Sequence, residues 1–379
     1  MSRTADASVS LRTVPSAVVM QPTTVCNLAC DYCYLPAAPR NHMAPAVGRR
    51  VALTVNRWVS EGHPVRVFWH CGEPLAAGRD RLAALLEPFS GAVVHGVQTN
   101  ATLVDDVWCR FFRERGIEVS VSIDGPETLD AHRRDRGGRP AHPRVLAGIA
   151  ALRRHRVPFG VLAVVSDPTP ETAQGLYDFV ADLGATRIGV SLQQSLTPAG
   201  TPSGAHSYGR CEEFWLALLE AWMANPVMRV REIDNCVRDA RRLLADRPDR
   251  PDRPRTVDPL PTIGWNGDVV LVAPELLGHH DADRRSFSSG NVLTSSLDAV
   301  IGEAVAGTPW IARHLVATRE CVTSCRYGPL CSGPSPATSF FETRTIGGGP
   351  TDHCRGAVMA RADAITFPLV RAGTARGRG

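Results

Sequence analysis

Cys26-Asn-Leu-Ala-Cys30-Asp-Tyr-Cys33 is the stretch that decides how the rest of this chain is read. It follows directly on a short apolar run, Ala17-Val-Val-Met-Gln21, that reads as a strand. Three thiolates on one short loop can hold three irons of a 4Fe–4S cube, leaving the fourth iron without a protein ligand nearby. An open coordination position is what separates a catalytic metal site from a closed structural one. Spacing alone leaves two other readings open, a zinc site and chance clustering.

Outward from this loop, the runs Val65–Trp69, Val93–Val97, Glu118–Ser122, Phe159–Val165 and Arg187–Leu192 also read as strands. Between them, residues 103–115, 143–155 and 170–183 carry apolar side chains at helical spacing. Such alternation predicts a parallel sheet with helices outside, and six units make an open or partial barrel whose strands end at one shared face. Residues 211–224 predict a core-facing helix, with Phe214, Leu218 and Trp222 on one side. The repeat Asp246-Arg-Pro-Asp-Arg-Pro-Asp-Arg-Pro-Arg255 cannot be helical, because each proline lacks a donor and restricts its predecessor. It reads as an exposed linker. Past it, Pro261–Val272 predicts a hairpin turning at Asn266-Gly267, and the chain ends in a frayed tail, Ala372–Gly379.

Composition narrows the chemistry. The chain has 379 residues, 44% hydrophobic and 21% charged, and its net charge of +4 does not argue for a nucleic-acid partner. All 42 basic residues are arginine, which excludes a Schiff-base, pyridoxal-phosphate or Walker A lysine. No apolar stretch suits a signal peptide or a membrane span, so a cytoplasmic location is expected. In a reducing compartment, clustered cysteines point to metal more often than to disulfides. Of the eleven, three form the first group and Cys321, Cys325, Cys331 and Cys354 a second. Cys71, Cys109, Cys211 and Cys236 are scattered and not assigned to metal.

The C-x3-C-x2-C loop with Tyr32 before its last cysteine resembles the signature of the radical S-adenosylmethionine (SAM) superfamily. Other stretches match in order over roughly residues 16–200. Trp69-His-Cys-Gly72-Glu73-Pro resembles the motif ending the second strand, which holds the SAM amino group. Gln98-Thr-Asn100 resembles the third-strand motif, and Ser122-Ile-Asp-Gly-Pro126 the fourth. The resemblance implies that Cys26, Cys30 and Cys33 ligate the cluster and that Ser122 and Arg134 contact SAM, with Leu192 packing by its adenine. It also implies the activity, in which a reduced cluster cleaves SAM to methionine and a 5′-deoxyadenosyl radical.

The second cysteine group resembles the SPASM extension of radical SAM peptide maturases and anaerobic sulfatase maturases, which usually bind two auxiliary clusters. Val272 stands where that family has a cysteine five residues after the hairpin glycine, and residues 237–320 contain none. The cysteine expected shortly after Cys331 is absent too. The resemblance therefore implies one auxiliary 4Fe–4S cluster on Cys321, Cys325, Cys331 and Cys354, with structural zinc as the alternative. Ala273–Gly278, Gly290–Val292 and Cys325–Cys331 are similar to maturases that build cyclophane cross-links in ribosomal peptides.

The expected architecture is α/β, a partial (β/α)6 barrel with a C-terminal SPASM-like iron–sulfur domain. Its boundaries run 1–15 for an N-terminal extension, 16–205 for the core and 206–256 for bridging helices and linker. The auxiliary domain then covers 257–366, and a flexible tail 367–379. The resemblance implies a precursor-peptide substrate, with an aromatic ring joined to an sp³ carbon two residues away, and a flavodoxin- or ferredoxin-type electron donor. Neither nucleic acid nor membrane is expected as a partner. Cys71, in the SAM-binding motif, reads as a replacement for a small residue or as a hydrogen donor. Glu275 is a candidate base, with structural hydrogen bonding the alternative, and His279-His280 reads as a solvated loop. Two competing functions remain, a two-electron oxidation without a cross-link (of a Ser or Cys side chain or a small carbinol) and a metal-binding module without radical chemistry.

Overall fold

The computed structural model describes residues 9–194, 206–245, 255–331 and 333–376. The linker expected at 246–255 lies outside these apart from Arg255, as does the segment 195–205. The strands are β1 (Val9–Leu11), β2 (Ala17–Met20), β3 (Arg66–Trp69), β4 (Val94–Thr99), β5 (Glu118–Ser122), β6 (Phe159–Val165), β7 (Arg187–Leu192), β8 (Arg229–Val230), β9 (Arg255–Val257), β10 (Thr262–Ile263), β11 (Asp268–Val270) and β12 (Gly290–Asn291). One sheet runs β12-β11-β10-β2-β3-β4-β5-β6-β7-β8. From β10 through β2 to β8 all its pairings are parallel. β2 does not pair with β7, so the barrel stays open.

One face of these strands is fully packed, for Val18 and Met20 on β2, Val67 and Trp69 on β3 and Val119 and Val121 on β5 are all nearly inaccessible. The crossovers are α1 (Pro45–Ser60), α2 (Arg79–Leu86), α3 (Asp106–Glu114), α4 (His142–Arg154) and α5 (Pro170–Asp182). α3 and α5 start as their sequences dictate: Asp105 accepts from the Trp108 amide, and Thr169 from the Thr172 amide with Pro170 next. α1 buries Val47, Val51, Val55 and Trp58 along one face. After β7 come α6 (Tyr208–Ala224), on which Phe214, Trp215 and Leu218 are buried, and α7 (Arg231–Ala245). The register Met20–Trp69–Val97 and Ser122–Leu162 brings the ends of β2 to β7 to one edge, and the motif residues follow from it.

The C-terminal third is built into this sheet. β10 and β11 form the expected hairpin about Asn266-Gly267, and β10 lies parallel to β2, Thr262 opposite Val19 and Ile263 opposite Met20. β1, in the expected N-terminal extension, pairs with β9. Helices α8 (Leu297–Gly307), α9 (Pro309–Ser324) and α10 (Pro336–Thr343) follow. The tail expected from residue 367 is instead helical as α11 (Phe367–Arg376), which packs on α7. Among the described residues, no helix is long and apolar enough to cross a membrane.

Candidate active site

The first cysteine loop leaves the end of β2 and is pinned by the segment after β5. The Ala29 amide donates to the Arg134 carbonyl at 2.7 Å and the Asp31 amide to the His132 carbonyl at 3.2 Å. Within the loop, the Cys33 amide donates to the Cys30 carbonyl (3.0 Å) and the Leu28 amide to Cys26 Sγ (3.5 Å). Burial first, with neighbouring charges adding to it, pushes the Cys26 thiol up to about 11 and the Cys30 thiol up to about 12. These two sulfurs hold their charge together only against a cation, which is what an iron cube supplies.

Among the described residues, no three Cys, His, Asp or Glu side chains converge closely enough to hold a single metal ion.

Beside the loop, Gly72 has φ +70°, and a Cβ there would stand 2.5 Å from the Thr23 carbonyl oxygen. Only glycine lets the end of β3 approach the cysteine loop this closely. Glu73 is 1% exposed. Its Oε1 accepts from the Leu75 amide (3.0 Å) and Thr99 Oγ1 (2.7 Å), and its Oε2 from the Asn100 amide (2.7 Å). Burial raises its pKa while these bonds oppose the rise. The carboxylate thus ties the ends of β3 and β4 together. Asn100 in turn donates to Asn27 Oδ1 at 2.9 Å, inside the cysteine loop.

Ser122 Oγ accepts from Gln98 Nε2 at 2.7 Å, joining the third and fourth motifs. Leu192, 4% exposed, ends β7 as expected. The Arg134 guanidinium is exposed and donates to the Ala131 carbonyl at 2.8 Å. The Arg134 backbone bridges Pro140, and this turns the neighbouring Arg133 inward instead. Arg133 lies 3.0 Å from Asp124 and 5.6 Å from the centroid of the Tyr32 ring, whose hydroxyl donates to the same carboxylate. Sequence reasoning missed both Arg133 and Asp124, although Asp124 stands inside the quoted Ser122–Pro126 motif.

The C-terminal third reaches this site twice. In the turn Pro274–Leu276, burial pushes the Glu275 carboxyl above the usual carboxylate range, and its charge is felt at Tyr34 and Cys71. Tyr34 Oη lies 3.2 Å from His70 Nε2 and 3.7 Å from Cys71 Sγ. Cys71 adopts φ +69°, unusual for a residue with a side chain. His279 is not solvated: it is 8% exposed, meets the Phe341 ring edge to face, and its Nε2 lies 2.8 Å from the Tyr34 carbonyl. His280 is exposed as expected.

The second approach is the other cysteine group. Cys321 closes α9, the Cys325 amide donates to its carbonyl at 3.0 Å, and Cys331 follows the turn Gly328–Leu330. Cys354 opens a π-helical stretch, Cys354–Met359. Its thiol is pushed up to about 12, by burial first and then by Cys331, Cys325 and Cys321. The other three cysteines thus lie within electrostatic reach of Cys354. The stretch packs at the end of β7, where a Cβ on Gly356 would stand 2.9 Å from Cys211 Sγ and 3.4 Å from Leu192 Cδ1. Gln194 and His353 meet there at 3.3 Å. Cys71, Cys109, Cys211 and Cys236 are buried in the core.

Comparison with known proteins agrees with this geometry. Residues 20–180 match the Radical SAM superfamily. The serine-type anaerobic sulfatase-maturating enzyme of Klebsiella aerogenes is 37% identical over 186 residues, covering 45% of each chain. The chain thus spans under half the length of that relative. Two solved structures share the fold. One is native anSMEcpe with bound AdoMet and the Cp18Cys peptide, at TM-score 0.71 and 18% identity, over 94% of this chain and 98% of that one. The other is Streptococcus suis SuiB bound to its precursor peptide SuiA, at TM-score 0.63 and 15% identity, over 91% and 76%. Residues 20–180 thus carry a radical SAM domain, and that part of the chain is similar to the anaerobic sulfatase maturases.

Proposed function

We propose that this enzyme modifies a ribosomally made precursor peptide, joining an aromatic ring to an sp³ carbon two residues away. The observation that supports the reading is the stretch opening at Cys354, whose thiol is raised in part by Cys331, Cys325 and Cys321 and whose Gly356 packs against Leu192 at the end of β7. Forming a carbon–carbon bond from two C–H bonds removes one hydrogen atom and then one electron and one proton. When bound, the SAM and cluster held by Cys26, Cys30 and Cys33 supply the 5′-deoxyadenosyl radical that takes the hydrogen atom. Cys321, Cys325, Cys331 and Cys354 would hold a second cluster, the acceptor for the electron. Glu275 takes the proton, since its buried carboxyl has a raised affinity for one. Gly72, Glu73, Asn100, Tyr32, Ser122 and Leu192 shape the SAM site. That anSMEcpe and SuiB were each solved with a peptide supports a peptide substrate. A flavodoxin or ferredoxin serves as donor.

The homology to a serine-type sulfatase maturase favours one other reading, oxidation of a Ser or Cys side chain to an aldehyde. Mass spectrometry of the reacted cognate peptide separates the two. Cross-linking gives loss of two hydrogens with suppressed fragmentation between an aromatic residue and the residue two places on. A product that fragments at every bond and reacts with an aldehyde reagent overturns it. The reconstituted enzyme is expected to hold about eight irons.

A further inference from the structure

Under the first cysteine loop lies a buried charge network that the proposed reaction leaves unused. The side chains of Arg133, Asp124 and Asp130 are 7%, 1% and 0% exposed. Arg133 Nε is 3.0 Å from Asp124 Oδ2 and 3.5 Å from Asp130 Oδ1, and Asp130 is backed by His142 at 3.2 Å. Asp124 uses its other oxygen to accept from the Val164 amide at 2.9 Å. The network touches the loop through Tyr32, which stands between Cys30 and Cys33 and whose hydroxyl donates to Asp124.

Charges removed from water act on neighbours with little screening. The Arg133 guanidinium lies 5.6 Å from the centroid of the Tyr32 ring, between Cys30 and Cys33 in the chain, and the Asp124 carboxylate stands beside it at 3.0 Å. Arg134, the neighbour singled out from sequence, is exposed and has no such reach. Net charge and hydrogen bonding around an iron–sulfur cluster are the levers by which a protein moves its reduction potential. Reduction adds one negative charge, so a buried cation nearby raises the potential and a buried anion lowers it.

We propose that Arg133 and Asp124 form an opposed pair that sets the reduction potential of the cluster on Cys26, Cys30 and Cys33, Arg133 raising it and Asp124 lowering it. The inference rests on the assignment of that cluster. Neither residue touches substrate in this role; both act through the cysteine loop.

The test is a potentiometric titration of the full-length holoenzyme, following the part of the EPR signal that changes when SAM is added. That change marks the open cluster and separates it from the second one. Arg133→Gln is expected to shift the midpoint to more negative values and Asp124→Asn to more positive values. Opposite shifts from two neighbouring substitutions are not what a merely structural role produces. Unshifted midpoints at full iron content, or shifts in the same direction, overturn the proposal. If Arg133→Gln fails to retain iron, Asp124→Asn decides, and an unchanged or lowered midpoint there is fatal. A wild-type enzyme whose signal ignores SAM would instead refute the cluster assignment itself.

Discussion

Glu73 offers a direct measure of how the site is held, because its carboxylate is almost fully buried and each of its bonds has a named donor. Glu73→Ala strands two backbone amides, Leu75 and Asn100, and the Thr99 hydroxyl. An unsatisfied buried donor costs about 1–3 kcal/mol. The three together come to roughly 3–9 kcal/mol, reduced somewhat because a buried charge is also removed. Glu73→Gln is milder: its oxygen can keep the two bonds made by Oε1, but its amide then faces the Asn100 N–H, donor against donor. That loses one bond, about 1–3 kcal/mol. Urea unfolding of the apo-protein, followed by circular dichroism, should rank wild type above Glu73→Gln above Glu73→Ala, with similar slopes. Iron retention should fall in the same order, since Asn100 hands the restraint on to Asn27 in the cysteine loop. Equal midpoints for the two variants, or a Glu73→Ala midpoint at the wild-type value, would refute this account of the carboxylate.

Other expectations follow from single features of the site. Replacing Cys26, Cys30 and Cys33 together with Ala should abolish 5′-deoxyadenosine formation while leaving about four irons on the second group, counted colorimetrically. Gly72→Ala should cost about 1–3 kcal/mol and weaken SAM binding by calorimetry, because its Cβ would stand 2.5 Å from the Thr23 oxygen at φ +70°. Glu275→Gln should leave SAM cleavage intact while cross-linked product falls on the order of 10²-fold, and full product yield would remove Glu275 as the base. Burial lowers His70, His95 and His314 from 6.5 to about 4. His95 is held neutral in a visible way, its Nδ1 accepting from Trp69 Nε1 at 3.3 Å. Their contribution is complete above the unfolded value and is lost as pH falls from 6.5 toward 4, at up to about 1.4 kcal/mol per pH unit for each. Flat stability between pH 7 and 5 would contradict it.

What could be read in advance was whatever has a period or a fixed spacing. β5, β6 and β7 begin and end where the sequence places them, β5 on the alternation of buried Val119 and Val121 with less buried neighbours and β6 on its apolar run. The cysteine loops and the hairpin at Asn266-Gly267 are signatures of the same local kind. α1 was not legible as a helix, since its buried stripe is built largely of valine, a residue that favours strands. Arg133 and Arg134 are identical neighbours in an irregular loop, where no period says which faces inward; the bridge to Pro140 decides it. His279 is buried by Phe341 and by the Tyr34 carbonyl, and the latter lies some 245 residues away. Contacts of that range leave no mark on the local sequence.

The parallel pairing of β10 with β2 also governs how the polypeptide comes off the ribosome. Thr262 and Ile263 complete the hydrogen-bonding edge presented by Val19 and Met20, roughly 240 positions earlier. At about 5–20 residues per second, that edge waits on the order of 10–50 s for its partner to be synthesised. During this interval an apolar strand lies bare at the rim of a nascent sheet, the arrangement most prone to pair with a stranger. A fragment ending after β7 would keep that liability permanently. It should express as aggregate even though it contains every residue of the SAM-binding motifs, and supplying residues 255–376 as a separate chain should recover part of it in the soluble fraction.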